Sequence, residues 1–295
     1  MKVRTRMIVL FLLPAGILYL VFFLVPAAWA FYFSVFDWSG FGDAKNYIGL
    51  GNYTELMKDR VFLISFTNTM KILFIGGVVT LFLAFLMTIL INVGMRGKKF
   101  FRAMIFMPNV IATIALTTLW AFIYNPKFGL LNGLLLKLGF TELGKTLWTA
   151  SDRVFYAMLV ALIWIQVGFM VVLLMAGRDK IPFEYYEAAK IEGANALQMF
   201  RKITVPLMWD VITVATVLWS IFALKVFEFP YAFFGITPPT QIYTVGLYLY
   251  IMGFGKRDPI YRLGYATAIG VVLLLAVIVV IVALRRLMRR DVYEY

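Results

Sequence analysis

Long charge-free runs separated by short basic clusters dominate the chain. Met7 to Phe36, Ile72 to Met95, Ala103 to Pro126, Val154 to Gly177 and Tyr265 to Leu284 carry no Asp, Glu, Lys or Arg, and Ile203 to Leu224 carries only Asp210. A helix crosses a bilayer with about 20 mostly apolar residues. The pattern predicts six transmembrane helices near 8–33, 68–93, 103–124, 154–176, 203–224 and 264–284. No ten-residue alternation of polarity recurs, which argues against a β-barrel. The fold class is therefore all-α, and residues 1–295 read as one membrane domain without a strong repeat or linker. Met1 to Ala30 could pass for a signal peptide, with Lys2, Arg4 and Arg6 leading and Ala28-Trp29-Ala30 as a cleavage site. Its apolar run exceeds the roughly 7–15 residues of a signal core, so an uncleaved first span is expected.

Composition strengthens this reading. The chain is 63% hydrophobic and 15% charged, against about 45–50% and about 25% in soluble proteins. Its net charge of +13 invites comparison with nucleic-acid binders, but the cations flank apolar runs instead of forming one polar face. Nucleic acid is not an expected partner. With the N-terminus cytoplasmic, inside segments hold 16 Lys/Arg and outside loops hold 11. The inside clusters are Lys2, Arg4, Arg6; Arg96, Lys98, Lys99, Arg102; Arg178, Lys180, Lys190, Arg201, Lys202; and Arg285, Arg286, Arg289, Arg290. The positive-inside rule then places both termini in the cytoplasm. Trp29, Trp38, Trp120 and Trp148 near span ends suit an interfacial belt. With no Cys and no His, disulfides, thiolate chemistry, imidazole metal sites and a Ser-His-Asp triad are excluded.

The interval Arg178 to Lys202 is the most informative. Pro182 suits a first helical turn, Glu184 and Glu187 favour the positive helix start, and Gly193 suits the stop. A short helix of about 16 Å is expected over Pro182 to Glu192. Phe183, Tyr186 and Ala189 or Lys190 share one face. Periodicity alone also allows an amphipathic helix lying on the membrane surface. The order Glu187-Ala188-Ala189, three residues, Gly193, nine residues, Ile203-Thr204-Val205-Pro206 resembles the EAA loop of ABC importer permeases, with Val205 in place of leucine. Gly49-Leu50-Gly51-Asn52-Tyr53 with Phe66-Thr67-Asn68-Thr69, and Pro108 with Trp120 to Asn132, resemble further motifs of the sugar-type branch, to which a glycerol-3-phosphate importer is related. Gly235 to Thr240 departs from that branch's usual T-x-G-G-P loop.

The resemblance implies a permease that carries sugar or oligosaccharide across a prokaryotic inner membrane by alternating access. It implies a second permease subunit, two ATPase subunits that hold ATP and Mg, and an extracytoplasmic solute-binding protein, with no cofactor on this chain. Phe183, Tyr186, Glu187, Ala188, Ala189 and Gly193 would contact an ATPase: apolar anchors, a carboxylate for a partner cation, and small residues that keep the surface low. Pro206 would bend the start of the next span.

Gly139 to Thr146 matches G-x-x-x-x-G-K-[ST] letter for letter. A phosphate-binding loop needs a preceding strand and a following helix in an α/β domain, and the match falls in an expected outer loop. The chain is not expected to be an ATPase. Ionisable groups in spans are functional candidates because burying them in lipid is costly. Asp210, expected about 10 Å into the fifth span, could face a path or pair with Arg201 or Lys202. Lys225 and Glu228 could pair with each other, and Lys71 could snorkel. Asn109, Asn125, Trp164, Gln166, Asp210, Trp219 and Glu228 are the substrate-path candidates. An ion-coupled secondary transporter is the alternative. A membrane enzyme has few chemical candidates here.

Overall fold

The computed structural model describes residues 2–42, 45–92, 95–150, 152–235, 237–255 and 260–289. The expectations involving Met1, Ile236 and Arg290 lie outside the described residues. The described residues are mostly helical, with one antiparallel pair of two-residue strands, β1 (Phe36–Asp37) and β2 (Asn46–Tyr47), among them.

The long apolar runs become α1 (Leu10–Phe33, the apolar part of a helix that starts at Lys2), α3 (Arg60–Ile91), α8 (Val154–Arg178) and α14 (Leu263–Leu287). Between α1 and α3 lies the short α2 (Gly51–Leu56). Two expected spans are broken. The third is α4 (Lys98–Asn109) followed by α5 (Thr113–Ile123), bent by 96°. The fifth is α10 (Ala196–Leu207) followed by α11 (Trp209–Lys225), bent by 71°. Six crossings result if each bent pair is one span. Connecting segments form α6 (Leu130–Lys137), α7 (Thr141–Gly144), α9 (Glu184–Ile191), α12 (Glu228–Phe234) and α13 (Val245–Phe254).

Proline chemistry accounts for part of the irregularity. Its ring clashes with the carbonyl four residues back and it donates no N–H. π turns at Leu20–Leu24 and Phe200–Thr204 lie just before Pro26 and Pro206, where a wider turn relieves both problems. The 71° bend follows two residues after Pro206. At the other break Pro108 sits in a single 3-10 turn, Met107–Asn109, that ends α4.

The chain forms two compact units, residues 1–63 with 248–275, and residues 64–247 with 276–295. In the first, Asn52 holds the strand pair by donating to the carbonyls of Ser34 (2.8 Å) and Phe36 (3.0 Å). Tyr53 adds a hydrogen bond to the Ser34 hydroxyl at 2.7 Å. Asp59 starts α3 by accepting from the amide of Val61 at 2.8 Å, and it also accepts from the hydroxyls of Tyr248 and Tyr265. Arg262 grips Glu55 through two bonds of 2.8 and 2.7 Å.

The second unit is built on α8, whose side chains are buried along most of its length. Gly168 permits the closest approach in it: a Cβ there would stand 2.0 Å from the Ile105 carbonyl oxygen of α4. Asn68 donates to the carbonyls of Gln241 (2.8 Å) and Tyr243 (3.0 Å), and Thr69 accepts from the Val245 amide at 3.0 Å. Two of the motifs noted in sequence, around Asn52 and Asn68, thus serve as hydrogen-bonded tethers within their own units.

Candidate functional site: an outward helix and a cleft at the helix breaks

Helix α9 is fixed by local chemistry. Glu184 and Glu187 occupy its first turn and Lys190 its last, each complementing the helix dipole. Its end is a Schellman motif: the Ala194 amide bonds the Ala189 carbonyl at 2.9 Å and the Gly193 amide bonds the Lys190 carbonyl at 3.0 Å. Gly193 has φ +80°, and a Cβ there would meet nothing within 4 Å. Its glycine is therefore demanded by backbone conformation and not by crowding inside the chain. Asn195 opens α10 with a reciprocal capping box to Gln198, so the turn from α9 into α10 is hydrogen-bonded on both sides.

The faces of α9 divide clearly. No residue of α9 is buried, and Tyr186 and Ala189 are the two that are half-covered. The Tyr186 hydroxyl lies 3.0 Å from that of Thr204. The opposite stripe carries Phe183 (63% exposed), Glu187, Ala188 and Ile191 (87% exposed). Tyr186, expected as an anchor for a partner, therefore braces α9 against its own chain. Ile191 takes the outward place instead. Its signal was present in the sequence, eight residues after Phe183 and four after Glu187, which is helical spacing for one stripe.

The breaks α4/α5 and α11/α12 open onto a cleft of about 640 Å³ lined by Asn109, Thr113, Gln166, Phe222, Lys225, Phe227 and Glu228, among others. Gln166 is 9% exposed, and its side-chain amide makes no hydrogen bond among the described residues. Asn109 donates its amide N–H to the Ile165 carbonyl, which leaves its side-chain oxygen as an acceptor. Glu228 accepts from the Thr113 hydroxyl at 3.3 Å. No ion pair joins Lys225 to Glu228 among the described residues; both are exposed and line the cleft. Three path candidates, Asn109, Gln166 and Glu228, thus come together, and Thr113 and Lys225 join them.

The other four candidates lie elsewhere. Asn125 lines a separate hollow of about 250 Å³ and closes its own turn by accepting from the amides of Lys127 (2.9 Å) and Phe128 (3.3 Å). Trp164 packs edge-on against Trp120 at 5.6 Å. Trp219 is 1% exposed, and its indole N–H donates to the Leu73 carbonyl at 2.9 Å. That carbonyl belongs to the π turn Ile72–Gly76, where the helical ladder is interrupted. Trp219 is a core residue and not a path residue. Asp210 is exposed in the first turn of α11, because the 71° break restarts the helix at Trp209. It therefore sits at a helix start, where a carboxylate is favoured, and not a third of the way along a span. Lys71 lies over the Phe155 ring, 5.4 Å from its centroid.

The nucleotide-loop look-alike has the wrong geometry. Gly139 to Thr146 follows the helix α6 and contains the four-residue α7. Thr146 is engaged by the Glu142 carbonyl (3.1 Å) and by Arg153 (2.9 Å), while Asn132 bonds the Thr146 carbonyl at 3.1 Å. No group of three or more acidic side chains among the described residues could hold a metal ion.

Residues 76–292 match the family described as binding-protein-dependent transport system inner membrane component. The chain is 36% identical over 271 residues to the probable ABC transporter permease protein YurN of Bacillus subtilis (strain 168), covering 90% of each chain. It is 33% identical over 284 residues to the diacetylchitobiose uptake system permease protein NgcF of Streptomyces coelicolor, covering 92% of this chain and 79% of that one. Its fold matches a chain of a bacterial ABC transporter involved in the import of the acidic polysaccharide alginate, with a TM-score of 0.81 at 21% identity and coverage of 98% and 97%. The chain is a multi-pass inner-membrane protein that belongs to the binding-protein-dependent transport system inner membrane component family, and it is a permease subunit of an ABC importer.

Proposed function

We propose that this permease moves a sugar or oligosaccharide into the cytoplasm, driven by ATP that two separate ATPase subunits hydrolyse. The observation that carries the proposal is the outward stripe Phe183–Glu187–Ile191 on a helix closed by a Schellman turn. Exposed aromatic and aliphatic groups around a carboxylate, on a rigid element, suit docking into a groove of another protein. The Schellman turn at Gly193 and the capping box at Asn195 let α9 pass a push to α10 without bending. In this reading α9 is cytoplasmic, as are both termini. The chain binds no cofactor; ATP and Mg belong to the partners.

The cleft supports the substrate class. A sugar hydroxyl both donates and accepts, and the cleft offers Gln166 for either role, Asn109 and Glu228 as acceptors and Lys225 as donor. Phe222 and Phe227 add apolar faces. The names of NgcF and of the alginate transporter point to saccharides for those proteins. Alternating access would use the bends at 110–112 and 208 as hinges, opening the cleft to one side at a time. A second permease would complete the path, and an extracytoplasmic binding protein would deliver substrate.

Charge reversal tests the coupling. Glu187→Lys is expected to insert and fold normally, yet to lower ATP-dependent uptake about 30-fold or more, because it sets a wrong charge in a closed interface. Undiminished uptake by Glu187→Lys would refute the role of α9. Uptake by the purified chain alone, driven by an ion gradient, would instead establish a secondary transporter.

A further inference from the structure

The polar groups of the cleft at the helix breaks are mostly acceptors. Asn109 turns its amide N–H to the Ile165 carbonyl and keeps its oxygen. Thr113 donates its hydroxyl to Glu228 at 3.3 Å and keeps that oxygen's lone pairs. Glu228 is a carboxylate. Gln166 offers both roles, and among the described residues that line the cleft Lys225 is the one cation. Thr113 is also the first residue of α5, a helix whose start has no side-chain cap. A bare helix start attracts an anion. Here the chain's own carboxylate stands beside it, tied there by the Thr113 hydroxyl. Thr113 and Glu228 line an adjoining apolar hollow of about 660 Å³ as well, so the pair stands at an edge common to both spaces.

This arrangement discriminates between solutes. A saccharide hydroxyl can donate to Asn109, Thr113 or Glu228 and accept from Gln166. An ionised phosphate or carboxylate group has no proton to give to those acceptors. It also meets the Glu228 charge, with Lys225 as its sole counter-ion. Unpaired charges and unmatched polar groups are how a site rejects the wrong partner. We infer that the cleft takes an uncharged saccharide and that Glu228 turns acidic saccharides and sugar phosphates away. The inference rests on the cleft being the transport path.

Because the chain has no cysteine, the charge can be read without knowing the sugar. Ile221→Cys sets one thiol on the cleft lining. In the assembled importer it is treated with neutral, anionic and cationic methanethiosulfonates, modification of this chain is followed by mass, and each rate is divided by that of a free thiol. The anionic-to-cationic ratio is expected to lie within about threefold of the free-thiol value. Glu228→Gln should raise it about tenfold, since one lost carboxylate acts on the two reagents in opposite directions, and Lys225→Gln should lower it by a similar factor. The ratio at Lys127→Cys, an exposed position outside the cleft lining, should move with neither. A ratio at 221 unmoved by Glu228→Gln, or a cleft with both charges in place that favours the anionic reagent tenfold, overturns the inference and leaves the path reading standing. Failure of the neutral reagent to reach position 221, with or without ATP, strikes the path reading itself and the inference with it.

Discussion

Helices α8 and α9 are separated by five residues and use their side chains in opposite ways. Of the 25 residues of α8, 16 are buried; of the eight in α9, none is. In α8 a backbone carbonyl from α4 fills the place a side chain would take at Gly168. At α9 a phenylalanine just before the first turn and an isoleucine at the last position stand in the open with a carboxylate between them, on a helix whose C-terminal end is closed by a Schellman turn. Flexible loops expose apolar groups cheaply, but a capped helix that does so holds them in fixed register. The contrast separates residues that make the scaffold from residues presented to something outside it.

The comparison breaks first at Gly168. Gly168→Ala places a methyl group against backbone, which cannot yield as a side-chain tip can. It is expected to destabilise the protein by about 3 kcal/mol, read as a lower unfolding midpoint in detergent, with the remaining folded fraction still binding ATPase. A loss of binding at unchanged stability would erase the distinction between the two helices.

Gly193→Ala probes the other side. A left-handed backbone costs a non-glycine residue about 1 kcal/mol, confined to the end of α9. Global stability should hardly move, while ATPase docking and uptake fall severalfold. Equal transport by the variant would show that the Schellman turn is unnecessary for coupling.

The smallest effect sharpens the boundary. Glu55 and Arg262 form an exposed pair, and the hydrogen bond from Arg262 together with its charge lowers the Glu55 pKa below its ordinary 4.5, against the opposing pull of burial. A carboxylate with a lowered folded-state pKa adds stability above its unfolded value and loses it as pH falls through the folded value. Glu55→Gln should therefore cost about 0.5 kcal/mol at neutral pH and flatten the stability curve below about pH 4.5. Transport should be unaffected, because exposure without unpartnered chemistry is not an interface.

How much of this was legible in the chain follows from the range of the forces. Helix α9 was readable because its start and stop are local: Pro182 before it, carboxylates in its first turn, Gly193 after it. The spacing of Phe183, Glu187 and Ile191 marks one stripe, but that Tyr186 turns away from it was not readable, since only the fold brings Thr204 to the tyrosine hydroxyl. The four long helices were legible from length and apolarity. The 96° break was hidden because Ala103 to Ile123 is apolar all round, so periodicity carries no information there; Pro108 marks the place without giving the angle. Asp210 was misplaced for the same reason, since its depth depends on where the helix restarts. Trp219 and Gln166 are amphipathic residues in neighbouring spans. Only packing decides that one donates to the Leu73 carbonyl while the other faces a cleft with its amide free.

The account rests on α9 meeting a nucleotide-hydrolysing subunit, and the absence of native cysteine makes one measurement direct. Ile191→Cys introduces a single thiol at the most exposed apolar position of the helix. In the assembled importer, a short thiol cross-linker at this position should join the permease to an ATPase subunit, in a yield that changes with ATP. A thiol at 191 that stays open to a membrane-impermeant reagent from the extracytoplasmic side, with no cross-link to any ATPase, would contradict the account.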